Sequence, residues 1–146
     1  MRRSMLALAI VLVVVAAGLA HAEDTGSTPI MMFNITSGPM EDTHAVTMAL
    51  QLAGHALADG REVVLFFNVR GVRVPTKELP KDLAFKAEPI SELLDSVMKQ
   101  GAEVHVCPHC MKALDITAED LIPGAVVTDR EKLFSKIGSN TVVFSY

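Results

Sequence analysis

The sequence predicts an α/β domain with three layers, α/β/α, around a mostly parallel five-stranded sheet. Three observations predict it. Apolar runs of strand length alternate with helix-length amphipathic segments from Pro29 to Tyr146. The first two runs scarcely alternate in polarity, the pattern of strands covered on both faces. The segment between them has helical apolar spacing and a short turn at each end, as in a βαβ unit. The 146 residues suit one domain with its own core, and no internal repeat or second domain is visible.

Taken in order, the chain opens with Arg2 and Arg3, an apolar run from Met5 to Leu19, and Ala20-His21-Ala22. A positive start, an apolar run and an A-x-A-like site read as a secretory signal peptide over residues 1–22, cleaved after Ala22. The run has 15 residues, short of the roughly 20 that span a bilayer, so an uncleaved anchor is the weaker reading. The expectation is a periplasmic or secreted protein with no stable membrane insertion after cleavage. Residues 23–28 are small and polar, a flexible tether, and residues 29–146 form the domain.

Pro29 to Thr36 reads as the first strand, broken by Ser37-Gly38-Pro39-Met40. Asp42 or Thr43 can cap a helix from His44 to Asp59. Ala45, Met48, Ala49, Leu52, Ala53, Ala56 and Leu57 form its expected apolar face, and Gly60 ends it. Glu62 to Asn68 is the second strand. Val69 to Lys86 is long for a loop and carries Arg70, Arg73, Lys77 and Lys81. Ile90 to Gln100 is a second helix with Ile90, Leu93, Leu94 and Val97 on one face, stopped by Gly101. Ala102 to Val106 is the third strand. Met111 to Leu114 makes about one helical turn, and Thr117 to Asp120 has the form of a capping motif. Ala125 to Val127 is a short strand, Arg130 to Ile137 a short helix, and Thr141 to Ser145 the last strand.

Without the signal peptide, 11 basic residues face 17 acidic ones, a net charge of −6, with one Tyr and no Trp. That balance argues against a nucleic-acid partner. Met31, Met32, Met48 and Met98 read as core filler. Met40 and Met111 are the two methionines expected near a site. Arg70, Arg73 and Lys77 read as a solvated face or, more sharply, as a rim that steers an anion.

Both cysteines of the chain lie in Cys107-Pro108-His109-Cys110, where the third strand gives way to a helix. Ligands and chemistry gather at the carboxyl ends of such strands. An exported protein keeps its disulfides, but a loop this short adds little stability. Redox, sulfur-transfer or metal chemistry is the better reading. Cys107 sits near unpaired helix N–H groups that favour a thiolate, and Cys110 is close enough to resolve a bond formed on it. Four readings are open. One is sulfur carriage as a persulfide on Cys107. Another is thiol–disulfide exchange assisted by His109. The third is a soft metal, zinc or copper(I), held by Cys107 and Cys110 with His109 or His105. The last is two small buried residues without chemistry.

The tetrapeptide is similar to that of strongly oxidising thioredoxin-fold enzymes, but the order of elements is not. Only 36 residues follow Cys110, and two strand–helix units precede it. From about Ile30 to Tyr146 the chain resembles the DsrE/DsrF-like sulfur-relay family. The resemblance rests on Ala49-Leu50-Gln51-Leu52-Ala53, Asp59-Gly60-Arg61-Glu62-Val63, Leu65-Phe66-Phe67-Asn68-Val69-Arg70-Gly71-Val72, Val106-Cys107-Pro108-His109-Cys110-Met111, Asp120-Leu121-Ile122-Pro123-Gly124 and Val142-Val143-Phe144-Ser145-Tyr146. It is nearest to a small single-domain branch with C-x-x-C-M, some of whose members are exported. The resemblance implies a DsrE-like fold and a persulfide on Cys107, without a cofactor. It also implies a homo-oligomer, trimeric or hexameric, that meets a donor or acceptor protein or a small thiol. Where many members have Gly soon after the motif, this chain has Asp115, which tolerates the left-handed conformation. The alternative expectation is a non-enzymatic oligomeric module that binds metal through the same cysteines.

Overall fold

The computed structural model describes residues 28–146. The expected signal peptide and all but the last residue of the tether lie outside the described residues. The elements are β1 (Ile30–Ile35), α1 (Thr43–Ala58), β2 (Glu62–Phe67), β3 (Ala84–Phe85), β4 (Glu88–Pro89), α2 (Ile90–Lys99), β5 (Glu103–Val106), α3 (Pro108–Ala113), β6 (Ala125–Val127), α4 (Arg130–Ser135) and β7 (Thr141–Ser145). The main sheet has the order β6-β5-β2-β1-β7, and every neighbouring pair is parallel. The expected five-stranded α/β architecture is what forms.

α1 starts where Asp42 accepts a hydrogen bond from the Ala45 N–H at 2.8 Å, a cap worth about 1 kcal/mol. It ends at Gly60, whose φ of +74° suits glycine. The helix buries Val46, Ala49, Leu50, Ala53 and Ala56. Met48, expected on the inner face, is 40% exposed. The helix packs on β1 and β2 and alongside α2, so its covered stripe is wide and shifted towards Val46 and Leu50.

Alternation along the strands divides the sheet into two faces. Phe33, Ile35, Val63, Leu65, Phe67, Val104 and Val106 belong to the core beneath α1 and α2. Met111 of α3 joins the same core. The alternate residues Met32, Val64 and His105 are also buried, on the other face. There the cover is thinner. The Lys136 side chain, just past α4, bonds Glu103 of β5, but α4 itself buries no residue, and Val126 and Val143 stay exposed.

The long segment after β2 is more ordered than its composition suggests. A 3-10 turn spans Gly71–Arg73, and the β3–β4 hairpin follows. His44 of α1 stacks on Phe85 of that hairpin at 3.9 Å between ring centres. Hydrogen bonds from Lys77 N–H to the Asp120 carbonyl, 2.8 Å, and from Ile122 N–H to the Pro75 carbonyl, 3.0 Å, tie the segment to the chain before β6. Thr117 and Asp120 close the expected capping box.

The chain steps from β1 through β2 and β5 to β6, then returns to β7 on the far side of β1. The topological switch point therefore lies between β1 and β7. Its crevice is filled from within. The Thr36 N–H, the Ser37 N–H and the Thr36 hydroxyl all donate to the Tyr146 carbonyl oxygen, at 2.7, 3.2 and 2.8 Å. Among the described residues no helix is long and apolar enough to cross a membrane.

Candidate functional site

The cysteines lie two strands away from that crevice, at the carboxyl end of β5. Cys107 is the non-helical residue before α3, with φ −69° and ψ 116°, and Pro108 opens the helix. Its N–H continues the ladder to the Phe67 carbonyl at 2.9 Å, and its carbonyl accepts from the Met111 N–H at 3.0 Å. The backbone of Cys107 is thus fixed to β2 on one side and to α3 on the other. Buried Met111 anchors the helix in the core.

Cys110 sits one turn further on. Its Sγ accepts a hydrogen bond from the Val69 N–H at 3.1 Å. Both cysteines are free and half-buried. Burial pushes the Cys110 thiol up, and the neighbouring Cys107 thiol adds to the effect, while the Val69 amide opposes it. Cys110 therefore keeps its proton above the usual thiol range.

The contact of Val69 with Cys110 was not legible in the sequence. Its φ is +50°, an outlier for a β-branched side chain. Gly71 N–H donates to the Asn68 carbonyl at 2.9 Å, closing a turn over Asn68-Val69-Arg70-Gly71. Arg70 has φ −84° and ψ −17°, so only the second position of the turn is positive, as in type II′, where glycine is the usual occupant. The turn is held from both ends. Asn68 N–H donates to the Ile35 carbonyl at 3.1 Å. Gly71 lies so close to β1 that a Cβ there would come within 2.2 Å of the Ile35 oxygen. Such over-determination is how a strained residue persists. The signal in the sequence was Gly71, not Val69.

The other expected residues are spread over several neighbourhoods. His109 is exposed on the first turn of α3. His105 is 6% exposed, and both ring nitrogens are engaged, Nδ1 with the Thr128 hydroxyl and Nε2 with a Glu103 carboxylate oxygen, each at 3.1 Å. The structure gives His105 a place in that network. Arg70, Arg73 and Lys77 are exposed. Arg70 pairs with Glu41 at 3.6 Å, and the Lys77 ammonium donates to the Glu119 carbonyl. Arg73 lines a cleft of about 490 Å³ with Met40 and Asp115. A second cleft, about 410 Å³, runs along Pro108, Met111 and Lys112. Asp115 has φ +56°, the left-handed conformation expected of it. Among the described residues no three His, Cys, Asp or Glu side chains converge to hold a metal ion.

The chain has matches in three comparisons with known proteins. The model of the DsrE/DsrF-like family matches residues 31–144. The uncharacterized protein MJ0989 of Methanocaldococcus jannaschii is 37% identical over 112 residues, covering 75% of this chain and 95% of that protein. The uncharacterized protein MK0008 of Methanopyrus kandleri is 34% identical over 116 residues, covering 75% of this chain and 88% of that protein. Among solved structures, the ychN protein from E. coli superposes with a TM-score of 0.62 at 15% identity, over 82% of this chain and all of that one. MTH1491 from Methanobacterium thermoautotrophicum, a protein of unknown function, superposes with a TM-score of 0.63 at 15% identity, over 81% of this chain and 99% of that one.

Proposed function

Because the chain belongs to the DsrE/DsrF-like family, we propose that it binds or transfers sulfur through Cys107, with Cys110 as the resolving thiol. The observation that supports this reading is the place of the two free cysteines, Cys107 at the carboxyl end of β5 and Cys110 one turn on in α3, with burial raising the Cys110 thiol above its usual range. The Cys107 thiolate attacks the outer sulfur of a persulfide donor, R–S–SH. A new S–S bond forms on Cys107, the donor's S–S bond breaks, and R–S⁻ leaves. Hand-off to an acceptor thiol repeats the exchange in the other direction. Alternatively Cys110 loses its proton and attacks the inner sulfur, which closes the Cys107–Cys110 disulfide and releases HS⁻. A reducing thiol then reopens the pair.

His109, exposed on the same turn, is the auxiliary imidazole within reach of solvent and donor. Arg73 and Lys77 form the rim that attracts an anionic donor. In this reading the protein acts after export, as a homo-oligomer that meets a donor or acceptor protein or a small thiol. The test is mass spectrometry of the reduced protein after incubation with polysulfide. The wild type gains one sulfur atom, and Cys107→Ala does not. A Cys110→Ala variant gains it and releases it more slowly. A wild type that takes up no sulfur, or a Cys107→Ala variant that takes up as much, contradicts the proposal.

A further inference from the structure

We infer that the Asn68–Val69 peptide is a redox-linked positioning element, strained towards Cys110 when the pair is a dithiol and released when the disulfide closes. The inference rests on the reading of Cys107 and Cys110 as an exchanging pair. Three observations support it. Val69 holds a φ of +50°, which costs a β-branched residue free energy. The one bond made by its N–H is to the Cys110 sulfur, at 3.1 Å. The residue is 55% exposed and lies outside the buried core, so core packing does not hold it in that conformation.

The anchors at Asn68 and Gly71 fix where the turn lies, and within it the bond to Cys110 favours the positive φ of Val69; disulfide closure acts on that bond. Two thiols lose two protons and two electrons to a low-molecular-weight disulfide, which leaves as two thiols, and one S–S bond forms between Cys107 and Cys110. That bond draws the sulfurs to about 2.05 Å. The Cys110 sulfur moves with that bond and its lone pairs are reoriented, which breaks the hydrogen bond from the Val69 N–H. A flip of the Asn68–Val69 peptide returns φ of Val69 to the negative side. It also turns away the Asn68 carbonyl, which accepts from the Gly71 N–H at 2.9 Å. That loss is covered in advance, because the same N–H also donates to the Thr36 carbonyl at 3.1 Å. The flip therefore strands no buried donor.

Strain confined to the dithiol state biases the pair towards the disulfide. A glycine at position 69 removes the bias, because glycine adopts positive φ without cost. The experiment equilibrates the full-length protein with mixtures of reduced and oxidised dithiothreitol and counts free thiols by alkylation and mass spectrometry. Lys86→Gly is the control. Lys86 has φ +59° in the distant β3–β4 turn, so it offers the same relief away from the sulfurs. Val69→Gly is expected to move the equilibrium towards the dithiol by about fivefold or more, with Lys86→Gly within about twofold of the wild type. The amide signal of Val69 in the wild type is expected to shift between the two redox states.

An equilibrium unchanged in Val69→Gly, an equal shift in both variants, or a wild-type pair that never closes would overturn the inference. Sulfur uptake is read separately. Uptake by the wild type with an unmoved equilibrium in Val69→Gly rejects the switch and leaves the sulfur chemistry standing. No uptake rejects the sulfur chemistry itself.

Discussion

At the amino end of β5, Glu103 and His105 are enclosed by partners; at its carboxyl end, Cys107 and Cys110 have little besides each other and one backbone amide. The ring of His105 bridges Thr128 and Glu103. Glu103 also accepts from Lys136, which reaches Glu62 at 3.4 Å as well. Burial pushes the Glu103 carboxyl up, but the bonds and charges of Lys136 and His105 outweigh it and hold it below the ordinary carboxylate range. The bond to Glu103, with Glu62 adding to it, raises Lys136 against the effect of burial. Each of these side chains has a partner, so the groups tie β5, β6 and the α4 region together. The sulfurs at the other end are fixed in space but sparsely bonded. Two ionisable clusters only a few residues apart on one strand thus do different work, and the difference lies in how fully each is satisfied.

The largest effect that would test this contrast is His105→Ala. It opens a buried gap and leaves Thr128 and Glu103 without their partner. We expect a loss of about 2–3 kcal/mol in urea unfolding, with sulfur uptake on Cys107 retained in the folded protein. Loss of uptake in a folded His105→Ala variant would move His105 from the scaffold into the chemistry.

A smaller effect is expected at Lys136→Met. Near neutral pH it should cost about 0.5–1 kcal/mol, since the pair is only partly shielded from solvent. The dependence on pH sharpens the point. Glu103 is depressed in the folded protein, so its contribution is present above its unfolded pKa and fades as pH falls through the folded one. Lys136 is raised, so its contribution is present below the ordinary lysine pKa and fades as pH rises through the folded one. Unfolding curves of wild type and Lys136→Met should therefore differ most near neutrality and converge at acid and alkaline extremes. A difference that persists in acid would show that Lys136 works through packing and not through charge.

Much of this fold was legible because its signals are local. The spacing along Ala125–Val127 and Thr141–Ser145 marked both strands with the bounds they have. Asp42 and Gly60 marked the ends of α1, and the apolar run before Cys107 marked the end of β5, where the candidate site lies. What escaped was set by distant partners. His105 finds Thr128 23 residues later in the chain, so strand alternation alone could pair it in thought with Cys107. The β3–β4 hairpin has strands of two residues, too short for any periodicity. Met48 is exposed because α2 and the sheet together rotate the covered stripe of α1. Val69 carries nothing in its own identity that announces a positive φ. The close approach of Gly71 to β1 fixes the turn in place, and the Val69 N–H turns towards the Cys110 sulfur within it.

The central claim is that Cys107 supplies the reactive sulfur and Cys110 stays protonated beside it. Limited alkylation of the reduced protein with iodoacetamide near neutral pH, followed by peptide mapping, tests it most directly. The account predicts modification at Cys107 first, with Cys110 modified only at higher pH or after Cys107 is lost. Modification of Cys110 first, or of both at the same rate, would contradict it.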